Sequence, residues 1–314
     1  MDTLNHLLSA YPSIKTLTEV QLSVWPEHVS YLRKSFNSHA KEVLEVLEKV
    51  SSLIMKISTS EDHELKSMCH DYRYMCEELV LKEELYFRRH GSYRLSTFED
   101  ANREVYSHPE LMKRYMNGLL LSGIFWTTHA NTYTHYLHSF LPGNRDQYSH
   151  LEVGCGHGLL LYFASKDPRC QKVTGWDIST TSLASTKRCL DIMGVEREIH
   201  LKQQNLFDAA QSEEKFDSIV LSEVLEHLED PEDGLKALYH ALKPGGHLWI
   251  NVPLNSPAPD HLYLLKEPSE VIDMVHNAGF KVIESRSFPL TGYTLEQAQK
   301  KKYTINCAVI ATRD

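Results

Sequence analysis

The chain lacks most of the features that would tie it to a membrane, a secretory route or a nucleic acid. Its most apolar stretch, residues 118–126, is too short to cross a bilayer. The start, Met1-Asp2-Thr3-Leu4, has neither the basic region nor the apolar core of a secretory signal. Cysteines are few and scattered: six in 314 residues, none in the C-x-x-C spacing of a zinc or redox site. Free thiols suit a reducing compartment, so a cytoplasmic protein is expected. Excess positive charge is also missing. Lys and Arg number 33 against 42 Asp and Glu, a net charge of -9. The basic face with which proteins grip phosphates is not evident, and Lys300-Lys301-Lys302 reads as a solvated turn. A small-molecule partner is favoured over nucleic acid. There is no internal repeat and no low-complexity tract.

What is present divides in two. Hydrophobic residues make up 42% and charged residues 24%, enough apolar material for two folded domains. Residues 1–141 read as an all-helical domain. Over residues 31–57, Val43, Leu44, Val46, Leu47, Val50, Leu53, Ile54 and Ile57 recur at three- and four-residue steps. Ser60-Glu61-Asp62 offers a helix start, residues 65–90 continue the period, and Gly91 closes it. Pro109 suits a first helical turn, residues 110–141 run on, and Pro142-Gly143-Asn144 breaks the pattern. The long apolar helices fit a lid or a homodimer interface equally well.

From residue 142 to 314 short β-like runs alternate with helical ones. Strands are expected at 149–153, 172–176, 199–203, 218–221 and 247–252, with helices at 158–165, 180–193 and 231–242. This alternation predicts an α/β fold, a mainly parallel sheet with helices on both faces. Two further strands, 280–288 and 303–312, suit a hairpin at one edge.

The sharpest motif is Leu151-Glu152-Val153-Gly154-Cys155-Gly156-His157-Gly158. A strand enters a glycine-rich turn that opens a helix, so the backbone turns sharply and lets a ligand approach. Alone, the spacing is shared with dinucleotide enzymes. Three features sharpen it. Glu152 precedes the first glycine. Asp177 ends the second strand, where a carboxylate accepts ribose hydroxyls. Gln204-Asn205-Leu206 follows the third, where amides read adenine. Cys155, between two glycines, is expected to be a small buried filler.

With these residues the chain resembles the class I S-adenosylmethionine (SAM)-dependent methyltransferases over residues 148–314. Phe216-Asp217-Ser218-Ile219-Val220 matches that family's fourth strand and Leu242-Lys243-Pro244-Gly245-Gly246 its turn before the fifth. The resemblance implies a Rossmann-like seven-stranded sheet. It also implies SAM contacts from Glu152, Gly154, Gly156, Asp177, Ile178, Asn205, Leu206 and Ser222. Asn205 departs from the more common aspartate.

After the fourth strand come Glu223, Glu226 and His227, at i, i+3 and i+4. If this turn is helical they share one face. His227 is then a candidate general base, with Glu226 orienting it. The alternative is a divalent-cation site for Mg2+ or a similar ion, with His261 as a further ligand to Glu223, Glu226 and His227. The segment is similar to the ubiquinone-biosynthesis O-methyltransferases, with a related quartet in small-RNA 2′-O-methyltransferases. Residues 266–271 and Leu290-Thr291-Gly292-Tyr293 echo the same subgroup. Trp126, His129 and Tyr133, just before the cofactor motif, are candidate acceptor-pocket residues. No Asp/Asn-Pro-Pro-aromatic sequence follows strand four, so O-methylation of a small molecule is expected ahead of N- or C-methylation. An RNA 2′-O-methyltransferase and a catalytically silent SAM-binding scaffold are the other readings.

Overall fold

The computed structural model describes residues 2–59 and 64–314. The chain forms two compact units. One comprises Met1–Thr134, Ser256–His261 and Phe288–Ile305; the other His135–Asn255, Leu262–Ser287 and Asn306–Asp314.

The first unit is mostly helical. Its main helices are α1 (Pro12–Val24), α2 (Val29–Ser38), α3 (Lys41–Ile57), α4 (Leu65–Tyr74), α5 (Leu81–His90), α6 (Pro109–Phe125) and α7 (Thr127–His135). The apolar period buries one face of α3, where Val46, Leu47, Val50, Ile54 and Ile57 are inaccessible. Residues 31–57 nonetheless do not form one helix. His39 and Ala40 are extended, with ψ 137° and 161°, and split α2 from α3. The apolar phase runs through the break, from Leu32 and Phe36 to Val43, so periodicity could not reveal it. The expected helix start at Ser60-Glu61-Asp62 lies outside the described residues.

Helices α4 and α5 are joined through a π turn over Met75–Val80. Here Met75 stands against Gly118 of α6. A Cβ at Gly118 would lie 2.8 Å from the Met75 sulfur. Gly91 closes α5 in the left-handed region at φ 72°, as its position predicts. Pro109 takes the first turn of α6. The run after it breaks at Trp126, which is extended and separates α6 from α7.

The second unit is a seven-stranded sheet. Its strands are β1 (Tyr148–Val153), β2 (Cys170–Asp177), β3 (Ile199–Gln203), β4 (Phe216–Ser222), β5 (Leu242–Leu254), β6 (Lys281–Pro289) and β7 (Ile305–Thr312), in the order β3-β2-β1-β4-β5-β7-β6. The first five are parallel. Strand β7 runs antiparallel to β5: Thr312 bonds Gly246 at one end of the pair and Asn306 bonds Asn251 at the other. Helices α8 (Leu159–Lys166), α9 (Thr180–Met193), α10 (Pro231–Ala241) and α11 (Pro268–Asn277) connect the strands. Trp176 of β2 and Trp249 of β5 are fully buried in the core. The expected edge hairpin takes the form of β6 beside β7, joined through a short helix, α12 (Leu295–Lys301). Strand order reverses between β1 and β4, and ligands of open α/β sheets bind at the carboxyl ends of the strands there. No helix among the described residues is long and apolar enough to cross a membrane.

Candidate active site

The loop after β1 is made by glycine. Gly154, Gly156 and Gly158 have φ 73°, 50° and 75°, values that L side chains rarely adopt. Gly154 also has no room for a side chain, since a Cβ would come within 2.6 Å of Val224 Cγ2. Gly156 differs, because nothing lies within 4 Å of where its Cβ would be. Its carbonyl accepts the Thr186 hydroxyl at 2.7 Å. Cys155 points the other way, is buried, and packs its sulfur against Gly175 of β2. Burial pushes its thiol well up, so it is the inert filler its position suggests.

Glu152 faces inward from β1. It is 3% exposed and its Oε2 has no hydrogen-bond partner. Burial raises its pKa well above the usual carboxylate value.

At the end of β2, Asp177 accepts the Ser179 amide at 2.9 Å on Oδ1 and the Ser182 hydroxyl at 2.8 Å on Oδ2. These bonds fix the carboxylate plane while burial raises its pKa. Ile178 beside it is a large apolar residue left exposed. Asn205, after β3, caps the turn Leu206–Gln211 by accepting the Phe207 amide at 3.1 Å on Oδ1. Leu206 is buried, and Phe207 is exposed.

The turn after β4 does not form the helical face that the i, i+3, i+4 spacing predicts. Glu223 has φ 54°, and only Leu225–His227 makes a short 3-10 turn. The reason lies in two amides on neighbouring strands. Glu223 Oε1 accepts Asn251 Nδ2 of β5 at 2.5 Å and Asn306 Nδ2 of β7 at 2.6 Å. Its side chain is drawn toward β5 and β7 in place of a shared helical face. Burial pushes Glu223 up to about 7, against the pull of these donors. Glu226 is fully buried, and His227 Nε2 lies 3.8 Å from its Oε1. Ser222 Oγ, at the strand end, meets the same Asn251 amide at 3.4 Å.

The main chain returns to Glu226 after the fifth strand. Leu262 and Tyr263 donate their amides to the Glu226 carbonyl at 2.8 and 3.0 Å. The residue before Leu262 is His261, whose Nδ1 lies 2.6 Å from the Ser256 carbonyl oxygen.

Inside the helical unit, Trp126 Nε1 donates to Tyr72 Oη at 2.9 Å, and His129 Nδ1 bonds Ser122 Oγ at 2.9 Å. Burial pushes His129 down to about 4, which keeps it neutral near pH 7. Tyr133 packs over Gly123, where a Cβ would lie 3.0 Å from its ring. Asn251, Asn306, Ser182 and Thr186 were not singled out in the sequence. The signal for the two asparagines was an amide inside an otherwise apolar strand, and both are 1% exposed.

The fold and glycine loop define a class of protein, and a family comparison agrees. The model of a methyltransferase domain family matches residues 125–288, more than half of the chain. The chain belongs to that family, and its sheet and glycine loop have the class I SAM-dependent methyltransferase fold. Its relatives narrow the likeness. The ubiquinone biosynthesis O-methyltransferase of Marinobacter nauticus is 30% identical over 174 residues, 48% of this chain and 68% of that protein. The enzyme of the same name from Alkalilimnicola ehrlichii is 34% identical over 116 residues, 37% of this chain and 45% of that one. A Synechococcus protein described as uncharacterized is 43% identical over 103 residues, 32% of this chain and 24% of its own length. The chain thus spans less than half the length of these last two relatives.

Proposed function

We propose that the chain methylates an oxygen of a small-molecule acceptor, with a divalent cation held by Glu226, His227 and His261. The observation that carries this is the buried Glu226 carboxyl with the His227 imidazole 3.8 Å away. Both side chains belong to the turn onto which the chain following His261 is hydrogen-bonded. One carboxylate and two imidazoles are a fitting donor set for a first-row divalent ion, and Mg2+ would lean on the carboxylate and substrate oxygens. A cation there would lower the pKa of an acceptor hydroxyl and align it. Glu223 stands outside this set in the proposal, because its Oε1 is engaged by Asn251 and Asn306.

On the cofactor side, SAM when bound would supply the methyl group from its sulfonium and leave as the neutral thioether S-adenosylhomocysteine. Asp177, oriented by Ser179 and Ser182, keeps lone pairs on both oxygens for the ribose hydroxyls. Asn205 spends Oδ1 on the Phe207 amide, so its Nδ2 is the atom offered to an adenine ring nitrogen. Ile178 gives that ring an apolar surface. The Glu152 Oε2 suits an ammonium group, and the open space at Gly156 suits close approach. Leu206 and Ser222 line the same strand ends.

A second reading makes His227 a simple base, oriented by Glu226. Calorimetry separates the two. SAM is expected to bind in EDTA, and a catechol acceptor only after Mn2+ is added. Glu226→Gln is expected to lose the Mn2+ effect and keep SAM binding. Catechol binding that ignores Mn2+ would leave His227 as a base alone. Absence of SAM binding would defeat both readings.

A further inference from the structure

The segment that carries His261 is held at its tip by the helical unit. Ser256–His261 belongs to that unit. Three tyrosines from three of the unit's segments reach it. Tyr93, just after α5, accepts the Ser256 amide on its hydroxyl at 3.1 Å. Tyr106 and Tyr115 donate their hydroxyls to opposite oxygens of Asp260, at 3.3 and 2.9 Å. Asp260 is 4% exposed and Tyr115 3%. A carboxylate buried this deeply is costly unless hydrogen-bonded, so the phenols and Asp260 hold each other. Pro257 and Pro259 restrict the backbone between the two anchors.

This grip has a chemical consequence one residue on. A carbonyl oxygen only accepts, so the 2.6 Å contact between His261 Nδ1 and the Ser256 carbonyl requires the proton on Nδ1. In the neutral ring the lone pair then sits on Nε2, the nitrogen a ligand or base would use. Both ends of that bond lie within the clamped segment. Ser256 is fixed by Tyr93, His261 follows Asp260, and the Tyr93 ring meets the imidazole edge-on at 5.8 Å between centroids.

We propose that Tyr93, Tyr106 and Tyr115, with Asp260, are positioning residues that set the tautomer of His261 and aim its Nε2. The helical unit thereby fixes the proton position on an imidazole that it carries itself. This rests on the reading that His261 serves the reaction.

The test uses the full chain with 15N-labelled histidine. Imidazole nitrogen shifts report the tautomer, and His261→Asn identifies the signal. The wild type is expected to show a single Nδ1–H form. The double variant Tyr106→Phe/Tyr115→Phe is expected to show mixed tautomers and at least tenfold weaker Mn2+ binding, with SAM affinity within twofold. Tyr115→Phe alone, which removes one hydroxyl, is expected to move the same readouts part of the way. An unchanged tautomer in the double variant overturns the proposal. A fall in SAM affinity parallel to the other losses does so too, because the phenols would then serve only the fold. If the wild type binds no Mn2+ but the tautomer still follows the phenols, the cation reading fails and the clamp stands.

Discussion

The turns after β1 and β4 solve the same steric problem in opposite ways. Each must swing the chain through a left-handed conformation at the end of a buried parallel strand. The first uses Gly154, Gly156 and Gly158, for which positive φ carries little penalty. The second uses Glu223 at φ 54°, a non-glycine residue whose backbone strain costs about 1–2 kcal/mol. What offsets that strain is the pair of amides on β5 and β7. The difference teaches what each turn is for. The glycine turn leaves space, and at Gly156 no atom fills it. The glutamate turn fills its space with two carboxyls, one of them hydrogen-bonded to the amides of Asn251 and Asn306, and an imidazole. One accommodates a ligand's bulk, and the other presents functional groups.

Glycine replacements should break this contrast most forcefully. Gly154→Ala combines a left-handed φ with a 2.6 Å clash against Val224. It is expected to cost about 3 kcal/mol of stability and to weaken SAM binding on the order of a hundredfold or more, by the lost backbone fit. Gly156→Ala meets no neighbour, so its stability cost should be only about 1 kcal/mol, yet SAM affinity should fall as far. Calorimetry and denaturant unfolding on both variants check this. Tight SAM binding by Gly156→Ala would show that the open space is not the ligand's.

Next in size is an effect of pH on the strand that leads into the glycine turn. His150 and Glu152 lie two residues apart on β1, on one face, and burial disfavours the charged form of each. His150 is pushed down to about 3 and Glu152 well up. For His150 the folded pKa lies below the unfolded one, near 6.5. The unfolded chain therefore takes up a proton that the folded chain refuses. Its contribution is complete above about pH 6.5 and is lost as pH falls toward 3. Glu152 has the opposite sign and loses stability as pH rises above the ordinary carboxylate range. Comparing wild type with His150→Asn isolates the first. Between pH 7 and pH 4.5 the wild type is expected to lose about 2–3 kcal/mol more than the variant. Parallel losses in the two would mean that His150 is charged in the fold.

The same two turns mark how far the sequence could be read. The glycine turn was legible because its chemistry is local. Glycine spacing, the acidic residue before it and the strand ends holding Asp177 and Asn205 are all visible within a few positions. The glutamate turn was half legible. Its residues stood out, but their grouping on one face assumed a helix, and the partners that prevent it, Asn251 and Asn306, are 28 and 83 residues away. In the helical half, periodicity found the buried faces and missed the breaks at His39 and Trp126, since neither disturbs the apolar phase. The Asp260 clamp could not be read at all. Tyr106 and Tyr115 are 154 and 145 residues from Asp260, and tyrosine in a helical segment signals only a core position.

The smallest expected effect is the most direct test of the contrast between the turns. Glu223→Gly removes the left-handed strain, worth about 1–2 kcal/mol. It also removes the acceptor for two buried amides, each such bond worth about 0.5–1.5 kcal/mol, and more if the carboxyl is ionised. The terms nearly cancel, and a net loss of about 1 kcal/mol is expected. Glu223→Gln keeps the strain and an Oε1 acceptor for both amides, so its loss should be less than half that of the glycine variant. Denaturant unfolding resolves the two. A Glu223→Gly variant more stable than the wild type would mean that the amides do not compensate the strain. The left-handed residue would then be held by something other than Asn251 and Asn306, and the turn would differ from its glycine counterpart only in the side chain it carries.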